Sequence, residues 1–435
     1  MRRPRRRPRR DTRETPGARP IAQRAHEAAG PPRERWLRAF APFAFAYLVA
    51  HLLRSVTAVA GPEIRADLGL TPSELGFLTS AYFLGYGLMQ VPVGIMLDRF
   101  GPRRTDAGLL VVGLLGAALF ASADGVLRLG LGRALIGVGF SAGLLAGYKA
   151  NALWFPLHRL PFMNGALMAC GGIGATLSTA PAGLLLEGIG WRALFLLLAG
   201  LTALAAAVVW LAAPEERGPA AGGGAGGTGA GAAIGDRAAL GIILRDRLFW
   251  RVVPVTVLAQ AVWLAYVSLW AGPWLAEVAG LAPLAVANHL LALSLGLMIG
   301  FFAQGAAAQA LLRFGVPPLA TMAAGVVGFL LAQAVLAAGL TALAVPGWFL
   351  FGLLGAVPII SYAVLSQHFP RAMVGRAVAV LNFLVFALAF AFQAGIGVLI
   401  EAAGGGAAGQ LRALRVLVLL QALSWAWLVW PRRRG

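Results

Sequence analysis

The chain has 435 residues, of which 59% are hydrophobic and only 12% charged, with a formal charge of +19 and a mean hydropathy of +0.77. Soluble domains carry about 25% charged residues, and their helices show a polar face in each period, which most apolar runs here lack. A large soluble all-α protein is therefore excluded, and runs near the ~20 residues of a membrane-crossing helix predict burial in lipid as well as in a core.

The basic excess is concentrated at the start. Thirteen of the 36 basic residues precede Phe40, in a tail that opens MRRPRRRPRRDTRETPGARP. So polar and Pro-rich a stretch predicts a disordered segment over 1–36. Its expected partners are anionic lipid head groups on the cytoplasmic side rather than nucleic acid. The first apolar run, about Phe40 to Ala60, is too long for the core of a cleaved signal peptide.

Twelve spans follow in chain order, at about 37–60, 73–97, 106–123, 127–153, 162–186 and 192–213, then 248–275, 285–310, 316–340, 344–368, 372–400 and 411–430. The fold class is an all-α membrane protein with two pseudo-symmetric six-helix halves, 37–213 and 248–430. Between them a Gly/Ala-rich stretch, 214–247, reads as a cytoplasmic linker ending in a short surface helix. A basic end, 431–435, closes the chain. Arginines such as Arg99, Arg103, Arg104, Arg159, Arg313 and Arg376 fall in loops on the side of the tail. Glu63, Asp67, Glu74, Asp124, Glu187, Glu277 and Glu401 fall on the other. Arg65, Arg192, Arg412 and Arg415 run against this trend without outweighing it, and the positive-inside rule predicts both termini in the cytoplasm. One lysine among 36 basic residues suggests a GC-rich bacterial genome, hence a bacterial inner membrane. The halves also repeat: a Gly-rich helix ending in Phe-Pro and a short basic loop occurs at Phe155-Pro156 and again at Phe369-Pro370.

Cys170 is the only cysteine, so no intrachain disulfide or cysteine metal cluster can form, and no cofactor or metal is expected. Lys149 is the only lysine, and no Gly-Lys-Ser/Thr step exists for a Walker A loop. Energy for transport must come from a gradient or from exchange, unless another subunit supplies it. No Ser/His/Asp set or paired carboxylates stand at a usable spacing, so an enzyme is not expected.

Gly94-Ile-Met-Leu-Asp98-Arg99-Phe-Gly101-Pro-Arg103-Arg104 follows the second span. Gly94 allows close helix approach and Gly101 a turn, while Asp98 could cap helix ends and pair with an arginine across the interface between halves. Arg133-Ala-Leu-Ile-Gly137-Val-Gly139 lies in the fourth span, where Arg133 sits near the outer end and can snorkel, and Gly190-Trp191-Arg192 precedes the sixth. These motifs resemble those of the major facilitator superfamily. The resemblance implies that the Asp98 loop latches a gate in the outward-open state, and that the first, fourth, seventh and tenth helices line a central cavity. The equivalent loop of the second half carries Gln309 in place of the acid, and Ala180-Pro181-Ala182-Gly183 matches the antiporter element only loosely.

Tyr47, His51 and Arg54 share one face of the first helix. No acid in that run neutralises Arg54, and a charge inside a span costs about 2.5–3.5 kcal/mol on insertion scales. Tyr148 and Lys149 lie in the fourth helix, where Lys149 acts as a point charge in the cavity or snorkels to the nearby interface. Gln260 and Trp263, with Tyr266 beside them, are the cavity candidates of the seventh helix. Trp270 and Trp274 suit an outer aromatic belt, Tyr362 follows Pro358 in the tenth helix, and Asn382 and Gln393 suit hydrogen bonds between helices. No carboxylate occupies the middle third of any span. The expectation is a monomeric secondary transporter for a small organic anion or zwitterion, oriented by Arg54 and covered by Trp263 and Tyr266. His51 serves as a carrier of a coupling proton or as a neutral hydrogen-bonding group. The alternatives are a multidrug/proton antiporter and a transport-inactive sensor on the same fold.

Overall fold

The computed structural model describes residues 36–156, 159–215 and 236–430. The basic tail before Trp36, the Gly/Ala core of the linker and the end at 431–435 lie outside them. Helix α1 follows a π turn, Trp36–Phe40, and consists of Ala41–Ser55 and Thr57–Leu68. Helix α2 is Pro72–Leu88 continued by the start of Gln90–Ala121, whose remainder beyond Gly101 is α3. Val126–Phe140 and Gly143–Trp154 make α4. Helix α5 is Leu160–Leu177 with the start of Ala180–Ala212, whose remainder beyond Gly190 is α6.

In the second half, α7 comprises Arg247–Ala265, a π turn Tyr266–Trp270 and Ala271–Glu277. Then come α8 (Pro283–Arg313), α9 (Pro318–Ala337) and α10, which is Ala344–Gly355, the 3-10 turn Val357–Ile359 and Ile360–His368. Helices α11 (Arg371–Ala402) and α12 (Gly406–Val429) complete it. Among the described residues ten helical stretches are long and apolar enough to cross a membrane, and Phe162–Leu177 of α5 is a shorter apolar one. The chain is thus a multi-pass all-α membrane protein.

Local chemistry explains where the helices start and turn. Thr71 and Glu74 form a reciprocal capping box at the start of α2, and Asp246 accepts from Phe249 N to cap α7. Gly101 (φ 77°) and Gly190 (φ 73°) make the α2–α3 and α5–α6 reversals, in a left-handed conformation that a side chain would strain. The turn expected at Gly101 is therefore present. Pro358 sits within the 3-10 turn of α10, the loosening its sequence position predicts.

The halves meet along three helix pairs: α1 with α7, α2 with α11 and α5 with α8. At the end of the molecule that holds Glu277 these seams are tight. A Cβ on Gly272 would fall on Ala58 O, and one on Gly397 on Pro72 O. One on Gly76 would lie 2.6 Å from Gln393 O, and one on Gly183 2.8 Å from Ala287 Cβ. Among the described residues a Cβ at Gly94 or Gly165 would meet nothing within 4 Å, so the close approach expected at Gly94 is not seen there.

Candidate functional site

The site begins at a break in α1. The first piece of that helix stops at Ser55 and the second starts at Thr57, directly after Arg54. Tyr47 and His51 are buried, with ring centroids 4.3 Å apart, and His51 Nδ1–H donates to Tyr47 O at 3.1 Å. Both pack on Gly171 of α5, where a Cβ would come within 2.6 Å of Tyr47 and 3.0 Å of His51. The Tyr47 hydroxyl donates to Met168 Sδ at 3.6 Å. His51 and Tyr47 thus line the α1–α5 contact, one turn or two before Arg54.

Arg54 is half-buried and takes part in none of the ion pairs among the described residues. Tyr47, His51, Tyr82 and Tyr86 all lie in the field of its guanidinium. Tyr148 lies in turn beside Tyr47, and Tyr362 beside Tyr86. Three tyrosines therefore gather round one arginine, with Tyr148 and Tyr362 beside them. Tyr82 and Tyr86 were missed in the sequence because family analogy confines the lining to four helices and they sit on α2. Their i, i+4 spacing in the run Tyr82-Phe-Leu-Gly-Tyr86 is the signal that could have found them.

From the second half, the Tyr362 hydroxyl donates to Asn382 Oδ1, and Gln260 lies alongside with its buried Nε2 unpaired. Phe386 meets Tyr86 with centroids 4.6 Å apart, closing the floor between the halves. Asn382 makes the α10–α11 bond its residue type suggests. Gln393 does more. Its Nε2 donates to Thr79 Oγ1 across the α2–α11 seam at 3.0 Å, and its side-chain oxygen accepts from Ser268 at 3.3 Å.

Other expected lining residues stand elsewhere. Trp263 packs on Gly355 of α10 and edge-on to Phe301, and Tyr266 is fully buried between Trp348 and Phe351. These two rings belong to the core of the second half and do not cover Arg54. Trp270 and Trp274 are buried as well, at 1% and 0% exposure, so they are not an aromatic belt. Trp270 Nε1 donates to Gln393 O at 3.1 Å.

Lys149 is not in the cavity beside Arg54. Its Nζ donates to Leu97 O at 2.7 Å and to Asp98 Oδ1 at 3.0 Å, which closes the last turn of α2. Asp98 therefore pairs within its own half, not with an arginine across the interface. The rest of the loop also turns inward on the first half. Arg103 stacks on Trp210 of α6 at 5.2 Å, Arg104 pairs with Glu215, and Arg99 lies over the neighbouring Phe100 ring. The side chain of Gln309 lies outside the described structure. Asp106, at the start of α3, is 1% exposed with both carboxylate oxygens unpaired, an acid the composition of the span interiors does not reveal.

Arg133 does not snorkel. It is 1% exposed, and its guanidinium donates from Nη1 to Leu53 O at 2.9 Å and from Nη2 to Arg54 O at 3.2 Å and Thr57 Oγ1 at 2.6 Å. Its cationic carbon stands 5.3 Å from the centre of the Tyr82 ring. Among the described residues no group of three or more His, Cys, Asp or Glu is placed to hold a metal ion.

With this geometry in hand, the chain can be set beside known proteins. The profile of the Major Facilitator Superfamily matches residues 43–394. A probable sulfoacetate transporter of Cupriavidus necator is 30% identical over 152 residues, 35% of each chain. A probable L-galactonate transporter of Escherichia coli is 31% identical over 170 residues, 38% of this chain and 36% of the relative. A quinolone resistance transporter of Acinetobacter baumannii is 32% identical over 158 residues, 34% of this chain and 36% of the relative. The chain thus spans little more than a third of the length of these relatives. Among solved structures, a bacterial homologue of the human lysosomal transporter Spinster, in an inward-facing and unoccupied conformation, superposes with a TM-score of 0.73. That match covers 95% of this chain and 97% of the other at 15% identity, so it speaks for the fold alone.

Proposed function

Because the chain belongs to the Major Facilitator Superfamily, a family of transporters and not enzymes, we propose that it moves a small organic anion or zwitterion across the bacterial inner membrane by alternating access. The observation that carries this reading is Arg54, half-buried beyond the reach of any described ion pair and ringed by tyrosines. Such a cation attracts a carboxylate or sulfonate with a charge-assisted hydrogen bond and repels a lipophilic cation. Tyrosine hydroxyls add donors that suit the same oxygen atoms. The relatives named for sulfoacetate and L-galactonate point to the same chemical class. In this reading the Asp98 end faces the cytoplasm, as the loop arginines suggest. The site opens inward and the halves rock about it as a monomer. His51 serves as a packed hydrogen-bonding group, since its Nδ1–H is already engaged by Tyr47 O.

Drug efflux is the second reading, favoured by the aromatic wall and by the quinolone resistance relative. Thermal unfolding of the purified protein with sulfoacetate, L-galactonate or a cationic dye separates the two. A ligand bound only by the native state at a hundredfold excess over Kd adds about 2.7 kcal/mol to apparent stability. Stabilisation by an anion, abolished in Arg54→Ala, is the expected result. Stabilisation by the dye alone would overturn the anion reading and leave efflux standing.

A further inference from the structure

We propose that Arg133 is a positioning residue for Arg54: it clamps α1 on both sides of Val56 and so fixes the direction in which the Arg54 side chain projects among the tyrosines. This rests on the anion-site reading. The argument starts from the backbone. A continuous helix would pair Leu53 O with Thr57 N and Arg54 O with Ala58 N. Around Val56 the fork of Arg133 binds both carbonyls, at 2.9 Å and 3.2 Å, and the same Nη2 takes Thr57 Oγ1 at 2.6 Å. One guanidinium therefore binds both pieces of α1, one on each side of Val56. The carbonyl of Arg54 itself is among its acceptors, so any turn of that residue about the break must first release Arg133.

The other face of the guanidinium lies against Tyr82, which also stands in the field of Arg54. Arg133 thus holds two members of the site at once: the α1 backbone at Arg54 and the α2 ring beside it. It touches no solute itself, being 1% exposed. Its Nε makes no hydrogen bond, so the clamp rests on the two terminal nitrogens alone. A lysine keeps the charge but presents one point donor in place of the planar fork, and cannot span two carbonyls and a hydroxyl in this arrangement.

Two substitutions test the clamp. Arg133→Lys removes the fork and keeps the charge, and Thr57→Val removes one acceptor and leaves the arginine intact. Each is read in two ways: affinity for the anion that stabilises the wild type, and methanethiosulfonate modification of an Arg54→Cys reporter in a Cys170→Ser background. The expected result is a roughly tenfold loss of affinity in Arg133→Lys, the size of losing charged hydrogen bonds, with a smaller loss in Thr57→Val. The reporter thiol should change its modification rate several-fold in both, while the unfolding temperature of Thr57→Val stays near that of the parent.

Wild-type affinity and an unchanged reporter rate in these variants would overturn the proposal and leave the anion site intact. If Arg133→Lys does not fold, Thr57→Val decides by the same two readings. If the wild type binds neither anion, the functional reading fails by itself, and the reporter rate alone decides whether Arg133 governs the geometry at position 54.

Discussion

The two ends of the seam between the halves use similar residues to opposite effect. At the Glu277 end, polar groups reach across. Arg65 pairs with Glu277 at 2.7 Å, Ser73 donates to Glu401, and Gln393 bonds Thr79, all between helices of different halves. At the Asp98 end the described ion pairs stay within one half: Lys149 holds Asp98, Arg104 holds Glu215, and His368 meets Asp246 at 2.9 Å. What differs between these pairs and those at the Glu277 end is where the partner stands.

The comparison can be broken most severely by bulk. Gly272 leaves no room for a side chain over Ala58 O, so Gly272→Leu must push α7 off α1 at the closed end. Overpacking of this kind costs roughly 1–3 kcal/mol, enough to shift a two-state population about tenfold or more. A cysteine in place of Leu70, which is buried beside Pro273 and Glu277, in the Cys170→Ser background should then label faster with a membrane-impermeant reagent. An unchanged rate would mean that the seam yields without opening.

Charge gives a smaller lever. Arg65 and Glu277 are partly exposed, and such a pair contributes about 1 kcal/mol or less. Glu277 is also held by Gln410 Nε2 at 2.9 Å, which fixes the carboxylate for its partner. Arg65→Glu and Glu277→Arg should each raise labelling at position 70 severalfold at most, and the double exchange should restore it. Failure of the double variant to restore it would assign the effect to each side chain separately.

Much of the framework was legible because a membrane span is written in composition: the apolar runs and the turn at Gly101 were readable, while the turn at Gly190 was not, since it stood only as part of a motif. The site was less so, for reasons that differ by residue. Arg133 looked like a snorkelling group because its place near the outer end of its span is legible, whereas the two carbonyls and the hydroxyl that α1 offers it are not. Trp263 and Tyr266 were placed in the cavity because periodicity gives a face but not its neighbour. In a helix 89% buried over its apolar window, the face toward its own half and the face toward the cavity look alike. Lys149 could be placed in either of two directions, and only the free carbonyl of Leu97 at the end of α2 decides between them.

The smallest effect expected is one of pH, and it separates bracing within a half from locking between halves. At the Glu277 end, hydrogen bonds from Arg192 and from Trp191 Nε1 hold the Asp67 carboxyl below its usual range. A depressed acid lends its stability fully above the ordinary carboxylate pKa and loses it as pH falls through the lowered value. Unfolding temperature should therefore fall modestly as pH drops below about 4, and Asp67→Asn should flatten that part of the profile. Labelling at position 70 should not follow it, because Asp67 and Arg192 belong to the same half.

Lys149 has a consequence outside transport. As the only lysine in the chain, it is also the only side-chain primary amine, and an ammonium bound to Leu97 O and Asp98 reacts poorly with acylating reagents until it lets go. The end of α2 thus carries a built-in chemical reporter: without any engineered label, the acylation rate of one residue reads whether its amine is held by Leu97 O and Asp98.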